Sequence, residues 1–274
     1  MRRARAIAGR VYRDYLQRER LDDFRALVGG ALDHGYEAMT LSAFAQIALA
    51  QPPATDDRIL LLRHDIDSNL PRARRMWEIE RELGVVGSYF FRRCTWDVDF
   101  MRELSSAGNE VGYHYEELAT VVKEQGAATA AEARALLDVA RTRLRVTVGE
   151  LRASSGLALE TFAAHGDFAS RAVRVSNVEV LADPGARAEI GVRHEAYDIE
   201  VHASARSSDG APPYGWRPED PMDAIRRGER VVAVLLHPRS WGGAPAANAR
   251  GDLLRLREGC AYRLRRARRR AYGR

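Results

Sequence analysis

Apolar positions along the chain alternate between two periods. Leu21, Phe24, Leu27, Val28 and Leu32 recur at helical spacing and stop at Gly35, a good helix terminator. Ile59-Leu60-Leu61-Leu62 is a short unbroken apolar run, which predicts a buried strand. A helix is predicted over 70–83, with Pro71 in its first turn and Gly84 after its end. Val85 to Phe91 is β-branched and aromatic, a strand, and Asp97 to Ala107 is a helix closed by Gly108. Asn109 to Tyr113 is a short strand. Ala127 to about Ala153 is an Ala/Arg/Leu-rich helix with a break expected near Val146. Leu159–Ala164 and Tyr197–Ala203 are predicted strands, Pro221–Arg227 a short helix, and Val231–Leu236 the clearest strand of all.

Strands alternating with helices imply a mostly parallel sheet with helices outside it. A barrel and a doubly wound sheet both fit 274 residues. The polar residues favour the barrel. Of seven histidines, His64, His165 and His237 directly follow predicted strands and His114 ends one. Asp65 and Asp67 sit beside the first, and Arg92-Arg93 follow Tyr89-Phe90-Phe91. A barrel assembles its site from the ends of several strands, whereas a doubly wound sheet gathers it at one switch point. The expected class is therefore α/β, a distorted (β/α) barrel with fewer than eight repeats over residues 1–250, followed by a basic C-terminal helix over 251–274.

Composition narrows the function. At 46% hydrophobic and 30% charged residues the chain is neither disordered nor fibrous. Two cysteines, Cys94 and Cys260, exclude a disulfide scaffold and a cysteine-ligated zinc module. No apolar run approaches the roughly 20 residues of a membrane helix, and the basic start at Met1–Val11 is too short in apolar residues for a signal peptide. A soluble, cytoplasmic protein is the expectation. The net charge is +5, but ten arginines from Arg250 onward face only Asp252 and Glu258, so that segment carries +8 and the rest −3. An acidic body argues against nucleic acid as its partner. The tail, with Leu253, Leu254, Leu256 and Leu264 between arginines, either packs with its arginines outward or contacts an anionic surface.

Three runs could carry chemistry. In Arg63-His64-Asp65-Ile66-Asp67 the carboxylates, two apart, share a face if the strand continues. One could then bind a divalent metal and leave the other as a base; the plainer alternative has Asp67 or Ser68 capping the next helix. In Glu110-Val111-Gly112-Tyr113-His114-Tyr115-Glu116-Glu117-Leu118, His114 offers an imidazole that Glu117 could meet from the first turn of a helix. In Val231–Trp241, His237-Pro238 ends the strand abruptly and would hold the imidazole at its mouth. Asp209, in a Ser/Gly/Pro-rich stretch, reads equally as a solvated turn.

Together with Ala164-His165-Gly166-Asp167, Ser208-Asp209-Gly210 followed by Trp216, and Leu235-Leu236-His237-Pro238 with Trp241, these runs resemble the NodB-like polysaccharide deacetylases. They resemble more closely an uncharacterised branch found among surface-polysaccharide genes. Order and spacing match from about Leu21 to Trp241. The resemblance implies a metal-dependent hydrolase removing an acyl group, acetyl in the usual case, from an amino sugar or polysaccharide precursor. It implies Asp65 as general base, His237 as general acid, and Asp67 and His114 as ligands of one divalent ion (zinc, or manganese or cobalt). Arg63, Arg93, His165, Asp209 and Trp216 would line the carbohydrate site, and Arg63, Arg93 or Arg239 would keep Asp65 ionised. The family's second histidine, four residues after the first, is here Leu118. Glu117 or Glu116 would replace it, giving a harder site than two histidines and a carboxylate. A catalytically degenerate barrel that binds carbohydrate without hydrolysis is the alternative.

Overall fold

A computed structural model describes residues 8–9, 11–50, 57–211 and 215–272. The strands are β1 (Glu37–Met39), β2 (Ile59–Ile66), β3 (Ser88–Phe91), β4 (Glu110–Tyr115), β5 (Thr161–Ala164), β6 (His194–Glu195), β7 (Ala205–Ala211), β8 (Gly215–Arg217) and β9 (Val231–Leu236). The longer helices are α1 (Leu21–Asp33), α2 (Leu41–Ala50), α3 (Leu70–Glu82), α4 (Val98–Ser106), α5 (Glu117–Gln125), α6 (Ala130–Arg134) and α7 (Leu137–Ser155). They are followed by α8 (Phe168–Val173), α9 (Pro184–Ile190), α10 (Ala196–Glu200), α11 (Pro221–Arg226) and α12 (Pro245–Tyr272). The fold class is the expected one: α/β, parallel strands with helices between them, in the manner of a distorted (β/α) barrel of fewer than eight repeats. The chain divides into two compact units, residues 1–112 with 196–248 and residues 113–195 with 249–274.

In the first unit β2 is the central strand, and all eight of its residues are buried. A parallel strand covered on both faces needs a continuous apolar run, which is why Ile59–Leu62 lacks alternation. β9 pairs with β2 from Ile59↔Val231 to His64↔Leu236. β1 and β3 share the other edge in succession, at Glu37–Met39 and Ser88–Phe91. β7 pairs parallel with β9, and β8 is antiparallel to β7. Phe24, Val28, Leu60, Leu62, Met76, Val232, Val234 and Trp241 form the core. Asp97 caps α4 by accepting from the Phe100 N–H at 3.0 Å.

The second unit pairs the end of β4 with β5 (His114↔Ala163) and β5 with β6 (Phe162↔Glu195). Phe162, Tyr113, Leu118, Val122, Leu144 and Leu151 are buried there. The terminal helix docks through Tyr262, whose hydroxyl donates to the Ala127 carbonyl at 2.7 Å, and through Glu258, 3.0 Å from Lys123 Nζ.

Several local expectations are corrected. Tyr197–Ala203 is not a strand: 196–200 is helical, because Ala196, Ile199 and Glu200 are buried at three-to-four spacing. The strand follows at Ala205–Ala211, a run of weak β-formers held by its pairing with β9. The helix expected over 127–153 breaks at 135–136, and Val146 lies within a continuous α7. Neither Asp67 nor Ser68 caps α3. Its N-cap is Asn69, in the left-handed region at φ 61°, with no side-chain cap bond.

Candidate active site

β2 places its polar residues on alternate faces, and the two faces do different work. His64 turns into the core. Its Nε2 lies 2.6 Å from Glu80 Oε1, the Tyr89 hydroxyl donates to the other oxygen of Glu80, and the His64 and Tyr89 rings stack at 4.3 Å. All three side chains are fully buried, which makes this a structural brace beneath the strand.

Arg63 and Asp65 share the opposite face. Arg63 donates from Nε and Nη2 to the two oxygens of Asp65, each at 2.9 Å, a bidentate fork. Its third arm reaches Glu200 Oε1 at 2.9 Å, and its guanidinium lies 4.5 Å from the Tyr197 ring centroid. Burial disfavours the Arg63 cation, but the charges of Asp65, Glu200 and Tyr197 outweigh it and hold the group well above its ordinary range. Of the three arginines expected beside Asp65, Arg63 is hydrogen-bonded to it. Arg239 is instead bound to buried Asp14 at 2.6 Å, and Arg93 lies exposed in a short turn beside Trp96. Tyr197 and Glu200, with Ser208 and Arg217, line a groove of about 490 Å³.

Asp209 is no solvated turn. It is buried on β7, and Ser208 stands in register with Leu235, which sets Asp209 beside the end of β9. One carboxylate oxygen meets His237 Nδ1 at 2.7 Å. The other accepts from the His237 backbone N–H at 2.7 Å and from Trp241 Nε1 at 2.9 Å. Three donors in fixed directions orient the carboxylate, and the carboxylate orients the imidazole. Burial works against the imidazolium, but the charge and hydrogen bond of Asp209, with the charges of Asp67 and Asp65, raise its pKa to about 9. His237 is thus cationic at neutral pH, with Nδ1–H engaged. Trp216 packs edge-on against Trp241 at 6.0 Å and borders the core. Asp67 follows the end of β2 and is half-buried.

The remaining candidates belong to the second unit. His114 Nδ1 lies 2.9 Å from the Ala163 carbonyl. A carbonyl only accepts, so Nδ1 carries the proton, which leaves Nε2 as the nitrogen that could bind a metal. The His165 ring stands edge-on to it at 5.1 Å. Glu116, His165 and Asp167 each bring a ligand atom within 4.8 Å of one another. Asp167, however, is already engaged, by the Ala169 N–H at 2.6 Å and Lys123 Nζ at 3.2 Å. Imidazole and carboxylate donors of this kind suit a divalent ion of the zinc, manganese or cobalt type.

Glu117 starts α5. Its Oε1 accepts from the Tyr113 hydroxyl at 2.7 Å and its Oε2 from the Glu116 N–H at 3.0 Å. Burial pushes its carboxyl up to about 7, against the Tyr113 and backbone hydrogen bonds that favour the anion. Leu118 is fully buried. Sequence reasoning did not find Glu200, which is 137 residues from Arg63, and no local pattern marks it. Among the described residues, no helix is long and apolar enough to cross a membrane.

No protein-family model matches the chain, and no curated protein is significantly similar to it in sequence. Among solved structures it is similar to a CE4 family pseudoenzyme from Bacillus anthracis (15% identity, 73% of this chain and 60% of that one, TM-score 0.39). It is also similar to the Xyl-CE4 domain of a multidomain xylanase from the hindgut metagenome of Trinervitermes trinervoides (12%, 72% and 83%, TM-score 0.39). A third is the Streptococcus pyogenes deacetylase PplD in complex with acetate (12%, 80% and 81%, TM-score 0.41). The chain spans less than two thirds of the length of the pseudoenzyme.

Proposed function

We propose that the protein is a metal-dependent hydrolase that removes an acyl group, acetyl in the first instance, from an amino sugar or a polysaccharide precursor. The observation that carries this reading is the His237–Asp209 pair: an imidazole whose Nδ1 is held by a carboxylate that is itself fixed by the His237 backbone N–H and Trp241 Nε1. A cationic histidine beside carboxylates is the equipment for protonating a leaving amine.

Asp65, kept ionised by the Arg63 fork, accepts a proton from the attacking water. His237, with Nδ1–H tied to Asp209, gives the proton on Nε2 to the departing amine nitrogen. Asp67 and His114 would hold the metal, which when bound supplies Lewis acidity toward the acyl oxygen and lowers the pKa of water. The third protein ligand is Glu117 or His165. A Glu117 carboxylate would have to leave Tyr113, whereas the His165 imidazole already lies against that of His114.

Metal content by elemental analysis assigns that ligand. His165→Ala is expected to weaken metal affinity by about tenfold or more, while Glu117→Gln retains the stoichiometry. The reverse pattern would give the position to Glu117. Arg93 and Trp216 are proposed to contact the sugar, and His165 with them where Glu117 is the metal ligand; Arg63, expected there too, is buried against Asp65 and Glu200 and acts on the sugar site only through them.

The decisive assay is acetate release from acetylated amino sugars with added zinc, manganese or cobalt. Sugar binding without stoichiometric metal and without acetate release would overturn the enzyme. It would favour a second reading, a barrel that binds carbohydrate without cleaving it. That reading draws on Leu118, a core residue where the resembled family carries a ligand.

A further inference from the structure

The terminal helix has one face that contacts the protein and another that is exposed. Glu258, Tyr262, Arg265 and Arg269, spaced i, i+4, i+7 and i+11, face inward. Arg265 donates to the Lys123 carbonyl at 3.2 Å and Arg269 to that of Gln125 at 3.1 Å. With 3.6 residues per turn, Leu253, Leu256, Cys260 and Leu264 then form a single stripe on the opposite side. They are exposed, Leu253 by 53%, Leu256 by 64% and Leu264 by 63%, and Cys260 with them. Ala267 and Ala271 extend the stripe, and exposed Arg257 and Arg268 flank it on one side and Arg263 on the other.

We infer that this outer face is a docking surface for an anionic lipid bilayer. An apolar stripe of about 17 Å between arginines is the pattern of a helix lying in a membrane interface: leucines enter the acyl boundary while guanidinium groups meet phosphates. The flanking charges select the occupant. A second copy of the helix would bring arginine rows of like sign together. A nucleic acid would use the arginines but gain nothing from the leucines. An anionic surface with an apolar interior uses both.

The test uses the full chain carrying Cys94→Ser, with an environment-sensitive fluorophore on Cys260, and vesicles of phosphatidylglycerol and phosphatidylcholine or of phosphatidylcholine alone. The anionic vesicles are expected to sediment the unlabelled protein and blue-shift the label, and the neutral ones to do neither. Added salt should weaken binding. Leu256→Ser with Leu264→Ser changes no charge and alters exposed positions, so the fold is retained, as circular dichroism checks. This pair should bind at least about tenfold more weakly, a lower bound for removing two leucines from an apolar contact.

Equal binding by the leucine variant would reduce the surface to plain charge attraction and overturn the inference. Absence of vesicle binding would overturn it too. Retention on heparin unaffected by the leucine changes, without vesicle binding, would make the helix a polyanion binder. A concentration-dependent dimer abolished by the same changes would make the occupant a second copy.

Discussion

Asp65→Asn is expected to lower turnover by about 10²- to 10⁴-fold, the usual contribution of a positioned general base, and to leave the metal stoichiometry unchanged. Asparagine keeps the shape of the side chain and one acceptor for Arg63 but cannot take a proton. The Arg63 fork adds a second expected result. The guanidinium is buried and shares its charge between Asp65 and Glu200. Removing one carboxylate leaves it half-compensated in a medium where an unpaired charge costs several kcal/mol. Urea unfolding should therefore show Asp65→Asn to be less stable than wild type, and Glu200→Gln less stable too. Glu200→Gln should keep much more of the turnover, because its carboxylate is not the proposed base. If Asp65→Asn retains activity while losing stability, the pair is structural and the base lies elsewhere. Asp67→Ala and His114→Ala should lose both metal and activity.

Asp209→Asn is expected to bring the His237 pKa down from about 9, since burial is then opposed only by the more distant charges of Asp67 and Asp65. The imidazole titration followed by NMR measures this directly. In the pH–rate profile the alkaline limb, where the general acid is lost, should lie further acidward in the variant than in wild type. The sign for stability follows from the same shift. His237 binds its proton more tightly in the folded state. The pair therefore stabilises fully below about 6.5, and that contribution disappears as pH rises through about 9. Denaturation at pH 6 and at pH 10 should show wild type losing more stability than Asp209→Asn. An unmoved His237 titration in the variant would remove Asp209 from this role.

Much of this molecule was legible in its residues because the signals are local. The all-buried run of β2, the stop at Gly35, the Pro71 start and the strand at 231–236 follow from period, propensity and the missing N–H of proline, which need no partner to act. The placing of Asp65 on the face of Arg63 follows from the two-residue period of a strand. The rest depended on neighbours distant in the chain. A weakly β-forming run, Ala205–Ala211, became a strand because β9 offered it an edge, and Tyr197–Glu200 became helical because its buried side chains needed the same side. Asp209 could be read as a turn until β7 set it against His237. Leu118 marked a missing histidine by sequence, while an imidazole beside His114 comes from His165, after a different strand. The stripe on the terminal helix was visible as leucines among arginines, but only packing decided which face stayed uncovered. Local preference fixes what a segment can become; burial and pairing choose among those outcomes, because their free energies depend on surfaces supplied by other segments.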